Sequence, residues 1–395
     1  MEGRRPADLA RALYAALAAG NREQLDALLH PEFVGRTAEG MPFGIGGHHD
    51  SPAAMRRNGW GAIARHFEAC AEPEEFADLA DGRLLVKGRY RGRGKQGGAA
   101  LDAAFAHLIA IDEGRIKSLE QFTDTARWHD AAGPLRTVLL DFSGGVATLR
   151  LNRPEKGNAI DERMAADLAE AATQIAERPD IRAVLIAGNG ANFTVGGDLG
   201  LFAGTQREQL PNRLRRMIDR YHLAIERLTG IDAPVVAAVR GGAGGGGLGL
   251  MYVADIVVAA EDARFALGYG ALGLTADGGN TWFLPRMVGM RRAQELFLLN
   301  RRLTAQEALA YGLVSRLAPE DQVESEAASL AAKLAAGPTH AFGAVRRMLR
   351  QSFETGLSDQ LDAEKASIVV ASSTDDAQEG IAAFVAKRRP QFRGS

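Results

Sequence analysis

Apolar positions along the chain change their rhythm near residue 130. Before it, Asp8–Ala19 and Arg22–Leu29 are Ala/Leu-rich, and Leu25, Leu28 and Leu29 follow helical spacing, so two short helices are expected. A polar stretch with Gly44, Gly46, Gly47 and the pair His48–His49 follows. A helix around Trp60–Cys70 comes next, then strands at Leu84–Tyr90, Leu101–Ile111 and Arg115–Thr123, the last two joined by the hairpin turn Asp112-Glu113-Gly114. Helices first and antiparallel strands after indicate an α+β domain. Ala131-Ala132-Gly133-Pro134 then interrupts regular structure and predicts a linker, dividing the chain into domains 1–132 and 133–395.

Past the linker, Ser143-Gly144-Gly145 separates two short strands, Val138–Asp141 and Val146–Leu151, as a second hairpin. Continuous β-branched runs at Ile181–Ala187, Pro234–Val239, Asp255–Ala260 and Arg264–Leu267 alternate with helical segments, the pattern of a parallel α/β sheet buried on both faces. From Arg291 onward the strands are expected to give way to four or five amphipathic helices. Pro338 suits a first turn, and Thr374-Asp375-Asp376 suits the start of the last helix.

Composition narrows the classes. Lys and Arg number 47 against 49 Asp and Glu, so the basic excess of a nucleic-acid binder is absent. The single cysteine, Cys70, excludes an intrachain disulfide and any CxxC site, as expected in a reducing compartment. No apolar run reaches the roughly 18 residues of a membrane span. Arg4 and Arg5 precede the apolar Ala12–Ala19, but the helical pattern continues beyond it, which fits short helices better than a signal peptide. A cytoplasmic protein is expected.

Glycine is the compositional outlier, at 46 of 395 residues against a usual share of about 7%. Seven glycines fall within Gly241–Gly249, directly after the strand Val235–Val239. Gly242, Gly244 and Gly247 satisfy G-x-G-x-x-G, and Asp262 lies twenty residues beyond Gly242, as a dinucleotide fingerprint requires. Against that, the next strand begins only eight residues after Gly247. A flexible loop is a second alternative. The third is a helix start whose unpaired N–H groups receive a developing oxyanion, with glycine allowing close approach.

Several separated motifs in order resemble the crotonase (enoyl-CoA hydratase/isomerase) superfamily over about residues 136–393. They are Leu151-Asn152-Arg153-Pro154-Glu155-Lys156-Gly157-Asn158-Ala159, Asn192-Phe193-Thr194-Val195-Gly196-Gly197-Asp198-Leu199 and Ala233–Asp255. Ala263-Arg264-Phe265, Leu284–Gly289, Arg302–Ala308 and the tail Glu379–Phe392 continue the match. The resemblance implies the crotonase spiral α/β fold with a helical C-terminal trimerisation region. It also implies an acyl thioester whose carbonyl oxygen sits between the N–H groups of Gly197 and Gly246. Substrate contacts are expected at Gly196, Gly245, Gly249, Trp282 and Lys156. Lys156 and the basic Lys387-Arg388-Arg389 stand where relatives approach CoA phosphates and adenine, with solvated surface charge the alternative.

Family hydratases position water with two glutamates, and the matching places here hold Gly249 and Tyr269. Tyrosine, with an ordinary pKa of about 10, is a poor base near neutrality. Asp277 remains, in Gly273–Pro285, a segment similar to that of the family's double-bond isomerases with their catalytic aspartate. A cap for the following helix is its alternative role, and Tyr269 is expected to orient substrate, donate a proton or pack against the acyl group. The expected activity is an enoyl isomerisation with Asp277 as acid/base. A hydratase or dehydratase of a specialised, polyketide-like pathway and a non-catalytic thioester-binding scaffold stay open. No tightly bound cofactor or metal is expected. Coenzyme A, or an acyl carrier protein, would carry the substrate.

Residues 5 to about 130 resemble the nuclear transport factor 2-like fold, which includes ketosteroid isomerases and polyketide cyclases. The match rests on His30-Pro31-Glu32-Phe33, the helix with Trp60 and Phe67, and the strand pair ending Phe122-Thr123-Asp124-Thr125. It implies an α+β cone with a pocket, for which His107, Asp124 and the pair His48–His49 are the polar candidates. Trp60 reads as core. Adjacent histidines on extended backbone point apart, so His48–His49 argues against a metal. Trimerising and dimerising folds in one chain suggest a homo-oligomer, a trimer or a dihedral hexamer.

Overall fold

The computed structural model describes residues 5–95, 100–133 and 135–394. Backbone packing divides the chain into two units, Met1–Pro134 and Leu135–Ser395.

The first unit opens with helices Pro6–Ala19 and Arg22–Leu28, close to the pattern-derived bounds. They cover a six-stranded sheet ordered Gly47–His49, Leu29–Thr37, Arg115–Thr123, Ala100–Asp112, Leu84–Gly94, Phe67–Asp78. Pairing is antiparallel except between Leu29–Thr37 and Arg115–Thr123. The Asp112-Glu113-Gly114 hairpin forms, with Glu113 and Gly114 both at positive φ. Three expectations need correction. The helix expected to reach Cys70 stops at His66, because Phe67–Cys70 pairs with Arg91–Gly94. Leu29, expected to end the second helix, instead opens the strand Leu29–Thr37. Ala131 and Ala132 belong to the helix Thr125–Ala132 rather than to a linker.

The second unit is built on a six-stranded sheet ordered Arg316–Ala318, Ile256–Ala260, Val235–Val239, Ala183–Gly188, Val146–Leu151, Val138–Ser143. All neighbours run parallel except the Val138–Ser143/Val146–Leu151 hairpin at the edge. Every residue of Ala183–Gly188 and Val235–Val239 is buried, as continuous apolar runs require. The helix Val323–Ala335 lies on this sheet through Val323, Ala327, Ala331 and Ala335, whose small side chains permit close approach. A second sheet, Gly242–Gly244, Arg264–Ala266 and Arg302–Thr304, carries the glycine cluster. The strands Arg302–Thr304 and Arg316–Ala318 correct the expectation that strands end before Arg291.

Six helices follow from Met290 onward. Pro338 stands at the N-cap of Thr339–Gln351 rather than inside its first turn, and Thr374 caps Asp375–Val385 by accepting from the Ala377 N–H. The helix Leu357–Ala371 buries none of its residues. Leu357, Ile368, Phe384 and Val385 are 70–85% exposed, a concentration of apolar surface that isolated soluble chains seldom show. No helix of the described residues is long and apolar enough to cross a membrane.

Candidate active site

Two glycine segments meet beside the small sheet. Thr194 and Ala243 form a parallel bridge, with Thr194 N–H donating to Gly242 O and Gly244 N–H to Thr194 O. Ile160 bridges the same strand one step further: its N–H reaches Gly196 O at 2.7 Å, and its O receives Asp198 N–H at 2.9 Å. In this parallel pattern the intervening Gly197 N–H faces away from Ile160, and Gly197 lines a cavity of about 420 Å³. Gly196 has φ +92°, and a Cβ there would lie 2.8 Å from Gly244 O, so the two backbones approach as closely as glycine allows. Gly245–Gly247 then form a helical turn, and the first N–H groups of such a turn lack intrahelical acceptors. Gly246 lines the same cavity.

Buried side chains fix these segments. Asn158, fully buried, donates from Nδ2 to Asn189 O and Asn192 O and accepts the Arg153 N–H. Thr194 Oγ1 donates to Asn158 O and accepts the Gly196 N–H. Tyr221 OH donates to Gly246 O at 2.6 Å.

Asp277 meets this arrangement directly. A Cβ on Gly246 would lie 2.6 Å from Asp277 Oδ1 and 3.2 Å from Oδ2, so the carboxylate stands against the Gly246 turn. Among the described lining residues Asp277 is the one carboxylate. Tyr269 OH donates to Asp277 Oδ1 at 2.5 Å, and Asn280 Nδ2, fully buried, donates to Asp277 O at 2.8 Å. Gly278 N–H donates to His222 Nε2. The Asp277 side chain does not cap the helix Asn280–Val288, whose N-cap is Gly279. Burial, and after it the Asp277 charge, push the Tyr269 and Tyr221 hydroxyls well above the usual tyrosine range. Both stay protonated as donors, and neither is a base. The remaining wall is mostly apolar, with Leu199, Phe202, Met217, Leu267, Leu272 and Leu274 among its residues, and Thr275, Asn300 and Arg302 are its polar members.

Gly197, Gly245, Gly246, Tyr269 and Asp277 are thus brought together. Four expected substrate contacts are not in the cavity wall. Gly196 lies behind it as the close-packing residue. Gly249 is buried, with Gly278 O, Ile225 and Tyr221 OH crowding the place of any side chain. Trp282 stacks under the Arg286 guanidinium, 4.1 Å from its ring centre, and packs edge-on against Phe283. Lys156 sits exposed in the turn Pro154–Lys156. Arg388 of the basic tail is held by Glu379, whose carboxyl it lowers to about 2. Tyr221, Asn280 and Asn158 are functional positions that the sequence pattern does not mark. Tyr221 sits on the apolar stripe Met217, Tyr221, Ile225, Leu228 and reads as core, and the two asparagines carry no spacing signal.

The enoyl-CoA hydratase/isomerase family model matches residues 141–395, and the SnoaL-like domain model matches residues 10–119. The chain belongs to the crotonase family of enzymes. Its first unit carries a nuclear transport factor 2-like domain of the SnoaL type. The 1,2-epoxyphenylacetyl-CoA isomerase of Escherichia coli is 36% identical over 258 residues, 65% of this chain and 98% of that protein. The trans-2-decenoyl-[acyl-carrier-protein] isomerase of Streptococcus mutans is 30% identical over 66% of this chain and 98% of its own length. The solved structure of an enoyl-CoA hydratase from Polaromonas sp. JS666 is 34% identical, with TM-score 0.62, over 65% of this chain and 99% of that one.

In the first unit, His107 lies at the floor of a separate cavity of about 470 Å³, in which Trp60 forms part of the wall. Asp124 is not in that cavity: it is exposed and caps the helix Thr125–Ala132 by accepting the Arg127 N–H. His48 is not there either. It faces solvent, while its neighbour His49 turns inward to Thr37 Oγ1 at 3.0 Å, the alternation that extended backbone imposes. Among the described residues no group of three or more His, Cys, Asp or Glu is placed to hold a metal.

Proposed function

We propose that the second unit isomerises an enoyl thioester, moving its double bond through a dienolate with Asp277 as the single acid/base. The observation that carries this is the lone carboxylate of the cavity wall standing against the Gly246 turn. With the thioester oxygen accepting from the Gly197 and Gly246 N–H groups, the carbon between carbonyl and alkene comes before Asp277. The carboxylate takes a proton from that carbon, breaking its C–H bond. The electron pair spreads over the alkene and the carbonyl, and negative charge collects on the oxygen. The carboxylic acid so formed, whose proton exchanges with solvent while Asp277 holds it, then gives a proton to the far end of the former alkene, which leaves the double bond conjugated with the carbonyl. Each oxyanion donor contributes on the order of 2.7–4 kcal/mol in such sites. One base suffices because the proton leaves and returns on one face.

The mostly apolar wall suits an uncharged acyl chain. The relatives named above act on thioesters of coenzyme A and of acyl carrier protein, and we extend that carrier chemistry to this chain. The exposed apolar residues of the last two helices support a homo-oligomer, a trimer or hexamer, in which they are covered. The test is Asp277→Asn. The variant keeps acyl-CoA affinity but loses exchange of the substrate's acidic hydrogens with solvent deuterium. Exchange at the wild-type rate removes Asp277 from the role.

A further inference from the structure

Gly245 O and Gly246 N–H belong to one peptide unit, the unit whose N–H is assigned above to the thioester oxygen. Asn280 Nδ2 donates to that Gly245 O at 3.1 Å. The same nitrogen donates to Asp277 O at 2.8 Å and to Tyr269 OH at 3.1 Å, and Tyr269 OH in turn donates to Asp277 Oδ1. Both carbonyls can only accept, so the amide is oriented with its nitrogen toward them. Its Oδ1 has no partner among the described residues, so every side-chain contact of Asn280 is a donation. Asn280 is fully buried and is not among the described residues that line the cavity. It reaches the reacting atoms only through other groups.

Neither carbonyl needs this side chain for a partner. Gly245 O also accepts the Leu248 N–H, and Asp277 O also accepts the backbone N–H of Asn280. What the amide adds is electronic and positional. A hydrogen bond to a peptide oxygen draws electron density toward it through the amide resonance, which makes the N–H of the same unit a stronger donor. Tyr221 donates to Gly246 O, which belongs to the following unit, and so leaves the Gly246 N–H to Asn280. The donation to Asp277 O ties the backbone of the base to the same nitrogen.

We propose that Asn280 is a positioning residue that couples the two halves of the reaction. Its donation to Gly245 O strengthens the Gly246 N–H toward the thioester oxygen, and its donation to Asp277 O fixes the reach of the base from that N–H. The proposal rests on the oxyanion role given to Gly246 and on the isomerisation assigned to Asp277, and the test separates the two.

The test uses the full chain and two ligands. Hexanoyl-CoA, labelled with carbon-13 at its carbonyl, has no alkene to move, and difference infrared spectroscopy reads how far the site lowers its C=O stretch. Turnover is read with trans-3-hexenoyl-CoA. Asn280→Leu keeps the branched shape and lacks donors. In it the lowering of the stretch should shrink while hexanoyl-CoA affinity stays within about threefold, and kcat should fall about tenfold or more with KM changed less than about threefold. If the leucine variant does not fold, Asn280→Ala, which only removes atoms, carries the same readouts. A C=O stretch as low in the variant as in the wild type, a kcat within about twofold of the wild type, or loss of the fold in both variants overturns the proposal. A wild type that leaves trans-3-hexenoyl-CoA unchanged, yet loses its C=O displacement in Asn280→Leu, sinks the isomerase assignment and upholds the role of Asn280 at the oxyanion donor.

Discussion

The glycine at position 249 offers the sharpest test of how this site is built. A Cβ there would lie 2.4 Å from Gly278 O, 2.7 Å from Ile225 Cδ1 and 3.0 Å from Tyr221 OH. Two effects oppose each other in Gly249→Ala. The residue lies in the helix Leu248–Tyr252, where alanine is favoured over glycine by about 1 kcal/mol. Overpacking costs about 1–3 kcal/mol, and a backbone carbonyl in the way places this case near the upper end. The net loss is about 2 kcal/mol, and at about 2–4 °C per kcal/mol for a unit of this size the melting temperature falls about 4–8 °C. Relief requires the Gly278 backbone to move, and Asp277 precedes it. Proton exchange should therefore drop about tenfold or more, with the substrate KM less affected. Gly249→Glu should behave worse and gain no hydration, because the glutamate would have to displace the turn that carries the base. Scanning calorimetry and deuterium exchange read both effects. A melting temperature that rises, as helix propensity alone predicts, with exchange intact, would refute the reasoning.

Other outcomes follow from the same geometry. Tyr269→Phe removes a hydrogen bond to a carboxylate, worth about 1.5–3 kcal/mol, and should slow proton exchange about ten- to a hundredfold with little change in KM. His107 makes the first unit acid-sensitive: its folded pKa, lowered to about 3 by burial, lies below the unfolded value of about 6.5, so the unfolded chain binds the extra proton between those limits and stability falls as pH drops through that window. From pH 7 to pH 5 the loss is about 2 kcal/mol in the melting of that unit, and His107→Phe should flatten it.

How much of this was legible in sequence varied with the physics that decides each element. The buried parallel strands and the two hairpins follow from continuous apolar runs and turn glycines, and the structure places them within a few residues of expectation. Phe67–Asp78 misleads because its Glu and Ala residues favour helix, while its strand pairing is decided by a partner distant in sequence. Pro73 adjoins an irregularity in that pairing, and Glu68, Glu72 and Glu75 pair with Arg93, Arg91 and Lys87 across it. The strands Arg302–Thr304 and Arg316–Ala318 are three residues long, too short for any period to show. In the site, glycines and Asp277 stand out because motif order marks them. Tyr221 and Asn280 depend on contacts between distant segments, which no local pattern records. Trp282 and Asp124 fail as site residues for the converse reason: each is satisfied locally, by Arg286 and by a helix cap.

The most direct measurement is the fate of trans-3-hexenoyl-CoA in water labelled with deuterium and oxygen-18, followed by mass spectrometry. A single carboxylate beside the oxyanion turn predicts the conjugated trans-2 isomer, carrying deuterium and no oxygen-18. A hydroxyacyl product bearing oxygen-18, or the recovery of substrate with neither isomerisation nor exchange, would contradict it.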